Sequence, residues 1–383
     1  MGARVPADDV SMMVLLNPGP VNVSERVRHA LLKPDICHRE SECRELLQGI
    51  RAKLLRAFAP SHEEEYVALL LAGSGTAAVE AMVTSSLAPG RSLLIVNNGV
   101  YARRMAAMAA AANMPTMDVP GPDNQRLDLT PIAEALRDHS AVQAVAVAHH
   151  ETSTGLLNPI RELGEMAAAT GRFLMVDGVS SLAGETIDLR ACHVGMIAGS
   201  SGKCIQGFPG LGFVLVRRDL MEQMAAYEPR SVYFHLPTYY REQVSGSVPF
   251  TPAVQLAYAL DEALSELLDE GVANRVARYR RMAQIVRDGM KALGVSCYLR
   301  EHPSLIGSNT LTAFLLPDRI QYERLHDLLR ERGYIIYAGQ SRLAQTIFRI
   351  ANIGALTETT MKDFLAAFAS VLPEARKTEA RHA

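Results

Sequence analysis

"GSSGKCIQGFPGLGF", residues 199–213, sets a lysine in a bed of glycines and serines. Two chemistries compete for Lys203. A phosphate-loop lysine needs GxxxxGK followed by Ser or Thr, because the glycine-rich backbone cradles phosphate and the hydroxyl meets a metal ion. Here Ile197 stands where the first glycine belongs, and Cys204 follows the lysine. Both ends of the motif fail. A lysine just past a buried strand has another use: desolvation lowers its pKa, and a neutral amine forms a Schiff base with an aldehyde. Taken alone, Lys203 also reads as an ordinary surface lysine, so its neighbours decide.

Around this stretch, from Tyr66 to about Val216, short apolar runs alternate with helix-length segments. The runs are "VALLLAG", "SLLIVNN", "AVQAVAVAHH", "FLMVDGV", "VGMIAGS" and "LGFVLV". They are almost continuously apolar, as strands buried on both faces must be. Between them, "GTAAVEAMVTSSLAPG", "YARRMAAMAAAANM" and "PIRELGEMAAATG" carry helical spacing with Gly or Pro near an end. The alternation predicts an α/β fold with a mainly parallel sheet. An irregular aromatic and Pro-rich stretch follows, "YEPRSVYFHLPTYYREQVSGSVPFTP", and then one long helical region from near Pro252. After it come a strand ("NTLTAFLLP"), a helix ("QYERLHDLLRERG"), a strand ("TIFRIAN") and a helix ("TTMKDFLAAFASVL"). This reads as a large domain over 21–260 and a smaller α+β domain over 261–383, with the tail after Pro373 frayed.

The chain has 383 residues, of which 48% are hydrophobic and 21% charged, and a formal net charge of −2. That balance gives no electrostatic case for nucleic acid or an anionic membrane. No apolar run is long enough to cross a bilayer. The N-terminus lacks the long apolar centre of a signal peptide, and Pro6 stands where a myristoylation motif has Ser or Thr. A cytoplasmic protein is expected. The five cysteines (Cys37, Cys43, Cys192, Cys204 and Cys297) show no CxxC and no metal-ligand spacing, so no metal is expected. Cys204 has no His nearby in sequence to make it a nucleophile.

Three pieces carry chemistry. "LAGSGTAAVEAM" ends a strand in Gly73-Ser74-Gly75-Thr76 and opens a helix at once. Helix N-terminal amides suit a phosphate, and a plain Gly-rich turn with a Ser or Thr cap is the ordinary alternative. "FLMVDGVSS" ends a strand in Asp177 at the carboxyl edge of the sheet, where open α/β sheets bind ligands. A carboxylate there holds a metal, a ribose or a protonated ring nitrogen, or merely caps a turn. Lys203 comes third. A Gly-rich helix start, a strand-end Asp and a strand-end Lys, in that order, lay out a pyridoxal phosphate site.

At this point the chain resembles the class V (fold type I) aminotransferases, and within them the 2-aminoethylphosphonate:pyruvate transaminases. The resemblance runs over nearly the whole chain and rests on "NPGP", "CHRE", "GSGTAAVEA", "NNGVYARR", "HHETSTGLLNPI", "MVDGVSSLAGE", "GSSGKCIQGFPGLGF", "PFTP" and "FRIANIG". It implies a homodimer with pyridoxal 5'-phosphate as cofactor. Lys203 would carry the cofactor's aldehyde and Asp177 would pair with the pyridine nitrogen. Tyr101 would stack on the ring. Ser74, Gly75, Thr76 and Ser200 would hold the phosphate, and Thr251 would reach the phosphate of the neighbouring subunit's cofactor. Thr152 would stand near the ring oxygen, and Arg349 would clamp a substrate carboxylate. The segment 1–20 would close the site through the backbone around Gly19. His38 and Arg39 would line the mouth, with Arg39 facing a phosphonate; a structural role fits that charged loop equally. The strand-end pair His149 and His150 reads either as facing the site or as satisfied core histidines, with the core reading favoured. The resemblance departs at Gly202, where the family often has an amide, and Ser201 or a water would take over that contact.

The implied reaction is amino transfer from 2-aminoethylphosphonate to pyruvate, giving phosphonoacetaldehyde and alanine. Rivals on the same scaffold are an alanine, serine or glyoxylate aminotransferase, and another pyridoxal phosphate reaction on an aminophosphonate. A cysteine desulfurase is disfavoured, since Cys297 is the only cysteine of the C-terminal region. A nucleotide-binding switch lacks its motif.

Overall fold

The apolar runs form the strands they predict. In the computed structural model, residues 13–299 and 307–376 are described. Residues 1–12 of the closing segment, and the tail from residue 377, lie outside them. The central sheet has seven strands: β1 (Tyr66–Ala72), β2 (Ser92–Asn97), β3 (Thr116–Pro120), β4 (Val142–Ala148), β5 (Phe173–Asp177), β6 (Val194–Ser200) and β7 (Leu211–Arg217). Their order is β1-β7-β6-β5-β4-β2-β3, and β7 alone runs antiparallel to both its neighbours. Helices cover both faces, so alternate residues of one strand enter opposite cores. Val145 and Val147 pack into one, and Ala144, Ala146 and Ala148 into the other.

The edge strand β3, "TMDVP", is mostly exposed, with only Val119 buried, and has no apolar run to announce it. The aromatic stretch contains a helix, Leu236–Val244, which buries Leu236 and Tyr239; its Pro237 sits in the first turn, where no helical N–H is needed. The long helical region divides into Val254–Glu270 and Val272–Ala292, because Gly271 takes φ +82°. Leu311–Leu315, Ile347–Ala351 and Tyr337–Ala338 form a three-stranded antiparallel sheet. The last helix, Glu358–Ala375, is opened by a Thr357–Thr360 capping box and runs through Pro373, so the expected fraying does not begin there.

Val14–Leu15 pairs in parallel with Tyr334–Ile335, and Leu16 is buried. This pins the "NPGP" turn, which follows at once, between the N-terminal part of the chain and its C-terminal layer. No helix among the described residues is long and apolar enough to cross a membrane.

Candidate active site

The parallel strands end along one edge of the sheet, and the predicted residues gather there. After β1, Gly73 takes φ +148°, which side-chain-bearing residues rarely adopt, and turns the chain into the helix Gly75–Ser85. Ser74 is the N-cap, yet its hydroxyl makes no capping bond and the residue is exposed, leaving the first amides free for an anion. Gly75 is held close: an added Cβ would lie 2.6 Å from Val179 Cγ1 and 3.1 Å from Ser200 Cβ. Thr76 Oγ1 accepts from Arg104 Nη1 at 3.3 Å.

Asp177 ends β5. Burial pushes its carboxyl up to about 6, against the Val179 amide that donates to its Oδ1 at 3.0 Å. It lines a cavity with Thr76, Tyr101, Arg104, His150 and Ser180. Tyr101 stands in the first turn of the helix Val100–Ala111, its hydroxyl accepting from Thr152 Oγ1 at 2.8 Å, with the Arg104 guanidinium 5.0 Å from its ring centre. Thr152, expected beside a ring oxygen, therefore also orients Tyr101.

Lys203 lies in the loop between β6 and β7. Burial lowers its pKa, opposed by the thiol of Cys204 and by Asp177. Its Nζ donates to the Pro18 carbonyl. Gly19 takes φ +123°, and a Cβ there would lie 2.7 Å from Lys203 Nζ, so the "NPGP" turn rests on the lysine itself. Arg349, on Ile347–Ala351, is 3% exposed; its Nε donates to Ala338 O at 2.8 Å and its Nη1 to Thr152 O at 2.9 Å. No carboxylate pairs with it among the described residues, which removes the ordinary explanation of a buried arginine.

Two predicted residues lie elsewhere in the single chain. Thr251 is exposed and lines a separate cavity with Tyr233 and Phe250. Arg39 is exposed and lines a surface cleft with His235 and Arg241. Ser201 cannot stand in for the missing amide, because its hydroxyl is committed to Phe208 O at 2.5 Å and Leu211 O at 3.0 Å. Gly202 has no room for a side chain: a Cβ would lie 2.9 Å from both Cα and N of Pro209. Gly202→Asn is therefore expected to destabilise the protein by about 1–3 kcal/mol through overpacking without tightening cofactor binding, as denaturant melts and a cofactor titration would register. Cys204 is buried with its thiol pushed up to about 12, the opposite of an activated nucleophile.

Sequence reasoning misses several residues. Glu151 is fully buried; its carboxylate accepts from the amides of Tyr101 and Ser153, each at 3.2 Å, and so fixes the start of the Tyr101 helix. The "HHETSTG" motif contains it, but nothing in the spacing says that the carboxylate turns inward. Arg104 follows Tyr101 by three residues on the same helix face. The histidines are not satisfied core residues either. His149 Nδ1 and His150 Nε2 are buried without partners among the described residues, and His150 lines the Asp177 cavity.

The set fits a phosphorylated pyridine aldehyde. It offers a buried acid, an aromatic face, a close-packed glycine at a helix N-terminus, and a lysine whose burial favours the neutral amine.

A 2-aminoethylphosphonate–pyruvate transaminase of Syntrophobacter fumaroxidans is 37% identical over 346 residues, covering 89% of this chain and 91% of that protein. One from Aeromonas hydrophila is 35% identical over 93% of this chain and 94% of its own length. The crystal structure of an alanine–glyoxylate aminotransferase from Nostoc sp. superposes with a TM-score of 0.88 at 25% identity, over 96% of this chain and 97% of that one. The Aminotransferase class-V family model matches residues 28–360. The chain belongs to the class-V aminotransferases, pyridoxal-phosphate enzymes of fold type I.

Proposed function

We propose that this protein transfers the amino group of 2-aminoethylphosphonate to pyruvate, giving phosphonoacetaldehyde and L-alanine. Arg349 is the observation that carries the reading. It is a buried guanidinium with two nitrogens on backbone carbonyls, Nη2 without a hydrogen bond and no counter-ion among the described residues. Such a cation is poised for an anionic group. Both substrates bring one, a phosphonate in the donor and a carboxylate in the acceptor. The choice of donor follows the names of the 37% and 35% identical relatives.

Pyridoxal phosphate, when bound, supplies an aldehyde and a ring that draws electrons away from the substrate carbon. Lys203 would hold the aldehyde through Nζ, and the same nitrogen would serve to move the proton at the substrate carbon. The Asp177 carboxylate keeps a proton on the pyridine nitrogen. Tyr101 covers a ring face, held by Thr152, whose hydroxyl also stands beside the ring oxygen. Ser74, Gly75, Thr76 and Ser200 hold the phosphate. Thr251, away from its own chain's site, reaches the phosphate in a second subunit, which makes the working form a homodimer. Arg39 lines the mouth, and Gly19 closes the site over Lys203. The division into a segment 1–20, a large domain 21–260 and a small domain 261–383, and a cytoplasmic location, are part of the same proposal.

The test is direct. Cofactor-loaded protein given 2-aminoethylphosphonate and pyruvate is expected to produce alanine. No alanine, together with turnover of alanine and glyoxylate, would replace this reading with that of an alanine– or serine–glyoxylate aminotransferase. Arg349→Ala is expected to raise KM for the 2-oxo acid by about 100-fold, the worth of a charge-assisted pair, with the visible spectrum of the cofactor unchanged.

A further inference from the structure

His150 follows β4 by two residues and is 4% exposed. Its Nδ1 lies 3.2 Å from the Ser180 carbonyl oxygen and 3.4 Å from Thr310 Oγ1. A carbonyl oxygen only accepts, so Nδ1 carries the proton, and in the neutral ring Nε2 is a bare lone pair. Burial keeps the ring neutral, pushing its pKa down to about 4, and the Lys203 charge acts in the same direction. Nε2 is buried without a partner among the described residues, on a ring that lines the cavity with Asp177, Tyr101 and Thr76. A buried acceptor left unpaired is costly, so one that persists beside a binding cavity calls for an occupant.

The far side of the ring is held by a chain of hydrogen bonds. Glu185 accepts from Ser308 Oγ at 2.8 Å, from Asn309 N at 2.7 Å and from Asn309 Nδ2 at 2.6 Å. Ser308 Oγ lies 2.8 Å from Thr310 Oγ1. With the Ser308 proton given to the carboxylate, Ser308 accepts from the Thr310 hydroxyl, and Thr310 accepts from His150 Nδ1–H. With Glu185 ionised every proton in the chain points towards it; burial pushes that carboxyl up to about 7, so this polarity belongs to pH above that value. Arg287 closes it by donating to the Ser308 carbonyl. The charged and titratable groups that act on this assembly are His149 and Lys203 on the imidazole, Asp177 and Arg104 around the cavity, and Arg280, Arg287 and Cys204 on Glu185.

We propose that His150 positions the cofactor: its Nε2 accepts a hydrogen bond from the pyridine N–H of bound pyridoxal phosphate, shared with the Asp177 carboxylate, and Glu185, through Ser308 and Thr310, holds the tautomer that leaves Nε2 free to do so. The inference rests on the cofactor reading of the site and not on the choice of substrate.

Nitrogen-15 NMR of histidine-labelled protein tests it. Without cofactor, His150, identified by the signals lost in His150→Asn, is expected to show a protonated Nδ1 and an unprotonated Nε2. Adding pyridoxal phosphate is expected to move the Nε2 signal as an accepted hydrogen bond does. An Nε2 signal that stays put would overturn the proposal. Two variants separate positioning from packing, since Asn places its amide near Nδ1 and leaves the Nε2 position empty, whereas Gln reaches that position. His150→Asn is expected to bind the cofactor about tenfold more weakly and to shift the pH midpoint of its visible band, with His150→Gln restoring most of both. Wild-type affinity and midpoint in His150→Asn would also overturn it. In Glu185→Gln the amide can turn the chain round, so a mixture of tautomers is expected; an unchanged tautomer ratio would remove Glu185 from the proposal and leave Ser180 as the sole anchor. Cofactor-induced movement of Nε2 in a protein that makes no alanine from 2-aminoethylphosphonate would sink the substrate reading and leave this one standing.

Discussion

Lys203→Ala is expected to abolish the visible band that pyridoxal phosphate acquires on covalent attachment, and to lower turnover by about 10³-fold or more. One side chain loses two roles there, the covalent anchor and the proton carrier, and proton transfer alone contributes on the order of 10²–10⁴-fold. The fold should tolerate the change. The loop's position is set by Ser201 on the Phe208 and Leu211 carbonyls and by Gln206 Nε2, which donates to Tyr279 Oη at 2.7 Å and to Gly354 O at 2.6 Å. Spectra of the reconstituted variant, with a melt to confirm folding, check both parts. A variant that keeps the band would remove Lys203 from its assigned role.

Asp177→Asn should do something different. The lysine is intact, so the band remains, while kcat falls by about 10²–10³-fold, the size expected for removing one preorganised electrostatic partner. It also carries a pH signature. In the cofactor-free protein burial holds the carboxyl at about 6, so it is neutral below that pH and ionised above it. Only the ionised form pairs with a protonated ring nitrogen. Wild-type affinity for the cofactor is therefore expected to weaken as pH falls through about 6, and Asp177→Asn to lose that dependence. Dissociation constants measured from pH 5 to 8 decide it; the same slope in both proteins would move the effect to another group.

How much of this was legible depends on what each residue answers to. The doubly buried strands announce themselves by composition, and so do the residues placed at their ends: Asp177 follows "FLMV" and Ser74 follows "ALLLAG" because a strand must stop somewhere polar. The edge strand β3 was hidden, since it buries only Val119 and has no need of an apolar run. The break at Gly271 between two helices was hidden by an uninterrupted helical pattern on either side. Arg349 was legible only through resemblance, because no local pattern says that an arginine inside a strand lacks a counter-ion. Glu151 and Glu185 were not legible as site-related residues, and His150 was legible only as the less favoured of two readings, since their surroundings come from segments far apart in the chain. The Glu185 shell, for example, is built from residues 308 and 309.

The tight packing of Gly202 on Pro209 also bears on how this lineage can change. A glycine in open space is a reversible state, one substitution from any other. Here the backbone of Pro209 occupies the volume that a side chain at 202 would need. Placing an amide at 202 would thus require Pro209 to change first or together with it. The two positions are in contact, so substitutions at 202 and 209 are expected to couple rather than add, and an amide at 202 would depend on what stands at 209.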